Sequence, residues 1–309
     1  MLYRMMVVLL VGCFLVGCQS AVEVGSDVRV GEGMRVVLLG TGTPNAEVDR
    51  WGPAAAVVVG GRSYLVDCGS GVVRRANGAA EKYGIEALQL ANLRRLFVTH
   101  LHSDHTVGLA DLILTPWIEG RDAPLEVYGP RGTGRMVEHL LAAYDEDVQL
   151  RIHGRQPINT EGYKVNVHEI EEGVVYEDAL VKVTAQRVGH GSWEQAFCYR
   201  FEGADRVVVV SGDRGPEPDI AEFASGCDIL VHEVYSVKGF AGRVKVWQDY
   251  HSQAHTSSLE LGELAQKVQP EVVVLTHQLL WGATEEELLE EIRTVYDGVV
   301  FYGRDLDIY

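Results

Sequence analysis

The stretch Thr99-His100-Leu101-His102-Ser103-Asp104-His105 sets four metal-favouring side chains within six positions. Imidazole and carboxylate together suit Zn, Mn or Fe. His-x-His-x-Asp-His places two ligand pairs on one tight loop, which favours two adjacent cations over one. Two such ions, about 3.5–4 Å apart, can share a hydroxide near neutral pH and stabilise charge developing on an attacked centre. The chemistry expected is hydrolysis.

An apolar run, LRRLFV, leads directly into that loop, and the pattern recurs. Asp67 follows SYLV, Asp213 follows VVVVSG, His232 follows DILV, and His277 follows VVVLT. A sheet fixes the end of each strand while the loop beyond stays open to ligand. A lone histidine at a strand end is usually a satisfied polar group. Five such endings in one chain, counting His100 after LFVT, are not explained that way. The strand-like runs fall into two groups. MRVVLLG, AAAVVVG, SYLVDCG, RRLFVTH and LEVYG form the first; YKVNVHEI, LVKVTAQRV, FCYRFE, RVVVVSGD, DILVHE, EVVVLTH and VVFYG form the second. Helical patterns lie at GTGRMVEHLLAAY, TSSLELGELAQKV and TEEELLEEIRTVY, the last with Thr284 and Glu287 spaced as a capping box. Two strand groups with interspersed helices predict an α/β fold, two mixed sheets face to face with helices outside.

The chain has 309 residues, 47% apolar and 23% charged, in the range of ordinary globular proteins. Its formal net charge is -17, and an acidic surface repels phosphate backbones. That balance predicts no nucleic-acid partner. Residues 1–18 carry one positive charge, Arg4, then an apolar run too short to span a bilayer. They read as a signal peptide. Leu15-Val16-Gly17-Cys18 has the form of a bacterial lipobox, with Cys18 lipidated, and Gln19 after it points to the outer membrane, facing the periplasm. Residues 19–33 read as a tether, leaving 34–309 as one domain. Cys68, Cys198 and Cys227 make no disulfide framework and are expected as buried thiols.

The domain resembles the metallo-β-lactamase fold superfamily, in its ribonuclease Z-like and arylsulfatase-like branch. The resemblance rests on LLGTGTP (38–44), VDCGSG (66–71), THLHSDH, SGD ending at Asp213, His232-Glu233, His255-Thr256-Ser257 and LTH ending at His277. It implies an αββα sandwich holding two divalent metal ions, Zn before Mn or Fe. His100, His102 and His190 would hold one ion, Asp104, His105 and His277 the other, with Asp213 bridging. His168 competes with His190 for the third place; the run FCYRF and then SGD after His190 favour it. Asp104 would also orient the hydroxide. Asp67 and His232 would stand behind the ligands. His255, backed by Glu233, would protonate a leaving oxygen or hold an oxyanion. Relatives in this branch also make a homodimer a possible state.

Four readings of the reaction compete. The leader, the charge and the absence of an inserted arm between His190 and Ser211 set tRNA 3′-processing aside. A lactonase or β-lactamase-type hydrolase and a non-catalytic metal-binding envelope lipoprotein are the alternatives. The Glu233/His255 pair favours an esterase, so the expected substrate is a small anionic phosphodiester or sulfate ester. Trp51, Trp117, Trp193, Trp247 and Trp281 lie near the motifs in sequence and would offer flat walls to an aromatic or nucleobase group. Lys238, Arg243 and Lys245 form the only local basic cluster, suited to steering an anion.

Overall fold

The computed structural model describes residues 33–309. The leader, Cys18 and the tether up to residue 32 lie outside the described residues. Thirteen strands form two sheets. The first holds β1 (Arg35–Gly40), β2 (Ala54–Val59), β3 (Arg62–Val66), β4 (Arg95–Phe97), β5 (Leu125–Gly129) and β6 (Val165–Glu169), in that spatial order. The second holds β7 (Gly173–Glu177), β8 (Lys182–His190), β9 (Trp193–Glu202), β10 (Val207–Val210), β11 (Ile229–Tyr235), β12 (Val272–Leu279) and β13 (Val300–Tyr302), also in chain order. Both are mixed: β1 to β3 pair antiparallel and β3 to β6 parallel, while β7 to β10 pair antiparallel and β10 to β13 parallel.

Period-two alternation explains the layering. In β1, Val36 and Leu38 face the second sheet and Val37 and Leu39 face the outer helices. In β12, Val274 faces inward while Val273 and Leu275 meet the helices Ser258–Val268 and Glu285–Arg293. Phe97 is at the centre of the inter-sheet layer, stacked on Tyr128 at 5.0 Å and meeting Tyr199 and Phe201 edge-on. Truncating a ring so enclosed costs about 3–5 kcal/mol.

One expectation about the strands needs correction. Val165–Glu169 is the edge of the first sheet, paired in parallel with β5, and does not belong to the second group. The helices Thr133–Ala143 and Asp145–His153 carry the chain across, as a parallel pair requires. Gly173–Glu177, unmarked by any apolar alternation, forms the exposed edge β7. All three expected helices are present, and Thr284 and Glu287 form the capping box. The helices Val72–Tyr83, Leu109–Ile118 and Lys245–Ala254 were not expected. The second of these buries most of its surface and contains Pro116, so it shows no amphipathic stripe. The three cysteines are free and buried.

Candidate metal centre

The loops that leave the sheets at one end of the sandwich bring the predicted side chains together. After β4, Thr99 and His100 lead to His102, which precedes the short helix Ser103–Thr106 carrying Asp104 and His105. His190 ends β8 and Asp213 follows β10. His277 lies within β12 at a register shift, where Glu233 pairs with Thr276 and Val234 with Gln278. The extra residue is His277 itself, with φ of 45°. A bulge re-aims the side chain that a regular strand would send to the alternate face. Asp67, just past β3, has φ of 60°. Both ligand-type residues thus hold a backbone conformation that non-glycine residues seldom adopt.

The loops are pressed together backbone to backbone. A Cβ on Gly69 would be 2.4 Å from the Gly52 carbonyl carbon and 2.6 Å from the Asp104 oxygen. One on Gly108 would be 2.4 Å from the Gly69 oxygen. Only glycine permits this approach.

Three groups of ligand atoms lie within 4.8 Å of one another: His100, His102, His190 and Asp213; Asp104, His105 and His277; and Asp213, His255 and His277. Asp213 belongs to the first and the third, and its Oδ2 also lies 3.3 Å from His105 and 3.4 Å from His277 of the second. His168, by contrast, is on the outer part of β6, bound to Glu126 and stacked on Tyr128. Geometry therefore joins His190 to the cluster and leaves His168 out. His232 is buried, but its Nδ1 donates to the Glu233 carbonyl, and it does not join the converging groups.

Outer partners set which imidazole nitrogen is bare. His190 Nδ1 donates to the Ala254 carbonyl at 2.6 Å, so its Nε2 carries a free lone pair. His105 Nδ1 donates to Asp67 at 2.7 Å, which turns Nε2 towards the centre. His100 Nδ1 is 3.0 Å from the Thr99 hydroxyl, which in turn donates to Asp67 at 2.8 Å. Asp67 thus orients two histidines, one directly and one through Thr99. Thr99 was missed in the sequence, where a threonine before a histidine carries no mark.

His100 Nε2 and His190 Nε2 lie 2.9 and 3.0 Å from His102 Nδ1. Three ring nitrogens converging this closely, two of them the Nε2 atoms of His100 and His190, make a donor set that a single cation would join. Among the described residues, His105 Nε2 and Asp213 Oδ1 are buried with no hydrogen-bond partner. Unpaired buried groups of this kind are costly, and a divalent cation satisfies them. The residues present fit the metal that the motif implies.

Electrostatics divide the cluster. Burial pushes His102 and His190 down to about 4 and His100 well below its usual range. Burial also opposes charge on His105, but Asp213 and Asp67 outweigh it and raise its pKa well above normal. His277 is raised in the same way by Asp213 and Asp104. Burial works against charge on Asp213 too, yet His277 and His105 hold it well below the carboxylate range. Asp104 is lowered against burial by the hydrogen bond from His277. Burial and Asp213 raise Glu233, and burial holds His255 at about 4. Glu233 Oε2 lies 3.2 Å from His255 Nδ1, and its other oxygen accepts from the Thr256 amide.

Beside Asp104 runs a groove of about 420 Å³ lined by Pro44, Arg50, Trp51 and Ser103. On the far side, Trp193 donates its indole N–H to His102 Nε2 and walls a cleft of about 250 Å³. Trp117 is in the core and stays away from the site. The basic cluster is largely balanced: Lys238 pairs with Glu287 and Lys245 with Asp249. His251, for which the sequence offered no role, lies 5.5 Å from His255, ring to ring. His139 and His153 are exposed.

A family model described as a beta-lactamase superfamily domain matches residues 62–278. A ribonuclease Z of Mycobacterium marinum is 33% identical, with 88% of this chain and 97% of that one covered. Among solved structures, the metallo-β-lactamase fold protein YhfI of Bacillus subtilis superposes with a TM-score of 0.70 at 19% identity, covering 89% and 98% of the two chains. Human tRNase Z, short form, does so with 0.64 at 19%, covering 89% and 98%. These relatives overturn two expectations: that ribonuclease Z activity is to be set aside for a small phosphodiester or sulfate ester, and that nucleic acid is no partner. The net charge misled because it sums the whole surface, while a strand is bound by local groups. The chain belongs to the metallo-β-lactamase superfamily, among the relatives named ribonuclease Z.

Proposed function

We propose that this protein is a divalent-metal-dependent endoribonuclease that cleaves a phosphodiester bond at the 3′ side of precursor tRNA, with Zn as the metal. The observation that carries the reading is the pairing of Asp213, shared between two ligand groups, with the His255–Glu233 pair at their edge, in a chain 33% identical to a ribonuclease Z. When bound, a pair of divalent cations supplies Lewis-acid activation of water and offsets charge at the phosphate.

The chain's own groups do the rest. Asp104, kept ionised, accepts the proton of the attacking water and aims it at phosphorus. His255 Nε2 faces the reacting centre, while Nδ1 is held by Glu233. Together the pair carries one proton, which His255 delivers to the departing ribose oxygen as the P–O bond breaks. Asp67, Thr99 and the Ala254 carbonyl keep the imidazoles in the bare-nitrogen orientation. The leader and Cys18, read as a lipid anchor, bear on where the enzyme meets RNA and leave the chemistry unaffected. The mass of the mature N-terminal peptide tests that anchor.

The test is cleavage of a 3′-extended precursor tRNA by Zn-loaded protein, with Asp213→Ala as control. A discrete 3′-end product, absent with the variant, supports the reading. An intact precursor beside turnover of bis(p-nitrophenyl) phosphate sinks it.

A further inference from the structure

From the centre a series of near-parallel rings runs outward. His277 and His255 stack at 5.6 Å and 17°, His255 and His251 lie at 5.5 Å and 38°, and His251 and Trp247 stack at 5.6 Å and 25°. The series surfaces on the helix Lys245–Ala254. There Trp247 is 48% and Tyr250 38% exposed, their rings 6.0 Å apart and nearly perpendicular at 83°. Arg243 lies over Trp247 and Trp281 at 5.8 and 5.4 Å. It is the one cation of the local basic trio without an acidic partner among the described residues.

We infer that the exposed Trp247 ring, with Tyr250 standing at right angles to it and Arg243 beside it, is a stacking platform for unpaired RNA bases that flank the scissile phosphate. This rests on the ribonuclease reading above and names a subsite for it. Flat aromatic faces interleaved with arginine bind single strands through stacking, which duplex bases cannot supply because they already stack on each other. The ring series makes the platform continuous with the reacting centre, a few nucleotides away. Because Lys238 and Lys245 are already paired with acids, the platform adds stacking and little phosphate charge. Its contribution is therefore insensitive to salt.

The test uses the full chain without added divalent ion, so that no strand is cut. Binding of a fluorescein-labelled oligoadenylate and of a blunt RNA hairpin is followed by anisotropy. Trp247→Ala should weaken the oligoadenylate about 5- to 100-fold, leave the hairpin unchanged and keep the salt slope. Trp247→Phe should retain most of the affinity, and Leu150→Ala, a distant exposed position, all of it. Oligoadenylate binding unchanged in Trp247→Ala overturns the platform. So does an equal loss for both RNAs, or a loss accompanied by a shift in sedimentation, which would mark the face as a contact with a second copy. Cleavage of precursor tRNA by wild type is scored separately. A nuclease with an indifferent Trp247 loses the platform alone, and a Trp247-dependent binder that leaves the precursor intact loses the ribonuclease reading alone.

Discussion

The candidate centre has two halves built from the same residue types with opposite electrostatics. His100, His102 and His190 form a nitrogen-rich half, where burial keeps the rings neutral. His105 and His277 form the other with Asp104, Asp213 and, behind them, Asp67. There the carboxylates overcome burial and draw protons onto the rings. The lesson is that burial alone does not decide the state of a histidine. The neighbouring carboxylates do, and so the two halves should take up metal differently.

The largest effect is expected from the group they share. Asp213→Asn removes one of the two carboxylates of the ligand set, Asp104 and Asp213, and should cut both metal content and turnover by more than the roughly 10–100-fold that losing an outer hydrogen bond costs. Metal analysis beside cleavage assays checks this, and two ions retained in the variant would break the picture of a bridging carboxylate. Next comes Asp67→Asn, expected to lower affinity about 10–100-fold in the carboxylate half through His105, with a smaller effect passed through Thr99 to His100. Stepwise metal titration separates the two.

A third comparison is in pH. A raised imidazole pKa means that protons compete with metal already near neutrality; a lowered one means that they compete only near 4. As pH falls from roughly 7 towards 5, the ion of the carboxylate half should leave first, while the nitrogen-rich half keeps its own. Metal retained after dialysis at each pH tests the order, and simultaneous loss would refute it. The smallest signal follows from the same sign. His105 holds a proton at neutral pH in the metal-free protein, so metal uptake should release about one proton there. Calorimetry in buffers of differing ionisation enthalpy measures it, and zero release would contradict the raised pKa.

Much of this was legible in the sequence for a physical reason. Strands that end in a ligand-type residue announce themselves through apolar runs and abrupt polar stops, which marked Asp67, His100, Asp213, His232 and His277, while the full ligand set was implied by the family resemblance. Thr284 and Glu287 showed a helix start because capping is local. What stayed hidden depends on tertiary geometry. Thr99 acts only because β3 and β4 lie side by side, and His251 matters only once Lys245–Ala254 packs next to the centre. The edge position of β6 is set by a crossover that local pattern does not encode. The substrate class was misread because a charge total and a missing insertion were weighed as if they described the site.

The glycine contacts at Gly52, Gly69 and Gly108 have a mechanical consequence. Where backbone touches backbone there are no side chains to rotate, so the loops bearing Asp67, Asp104 and His105 form a rigid jaw. The opposite wall is held in the same way where Lys245–Ala254 ends, for a Cβ on Gly215 would be 2.3 Å from the Gln253 oxygen. Both walls are thus stiff, and the ligand atoms are aimed by backbone contact, with no adjustable side chain between one loop and the next.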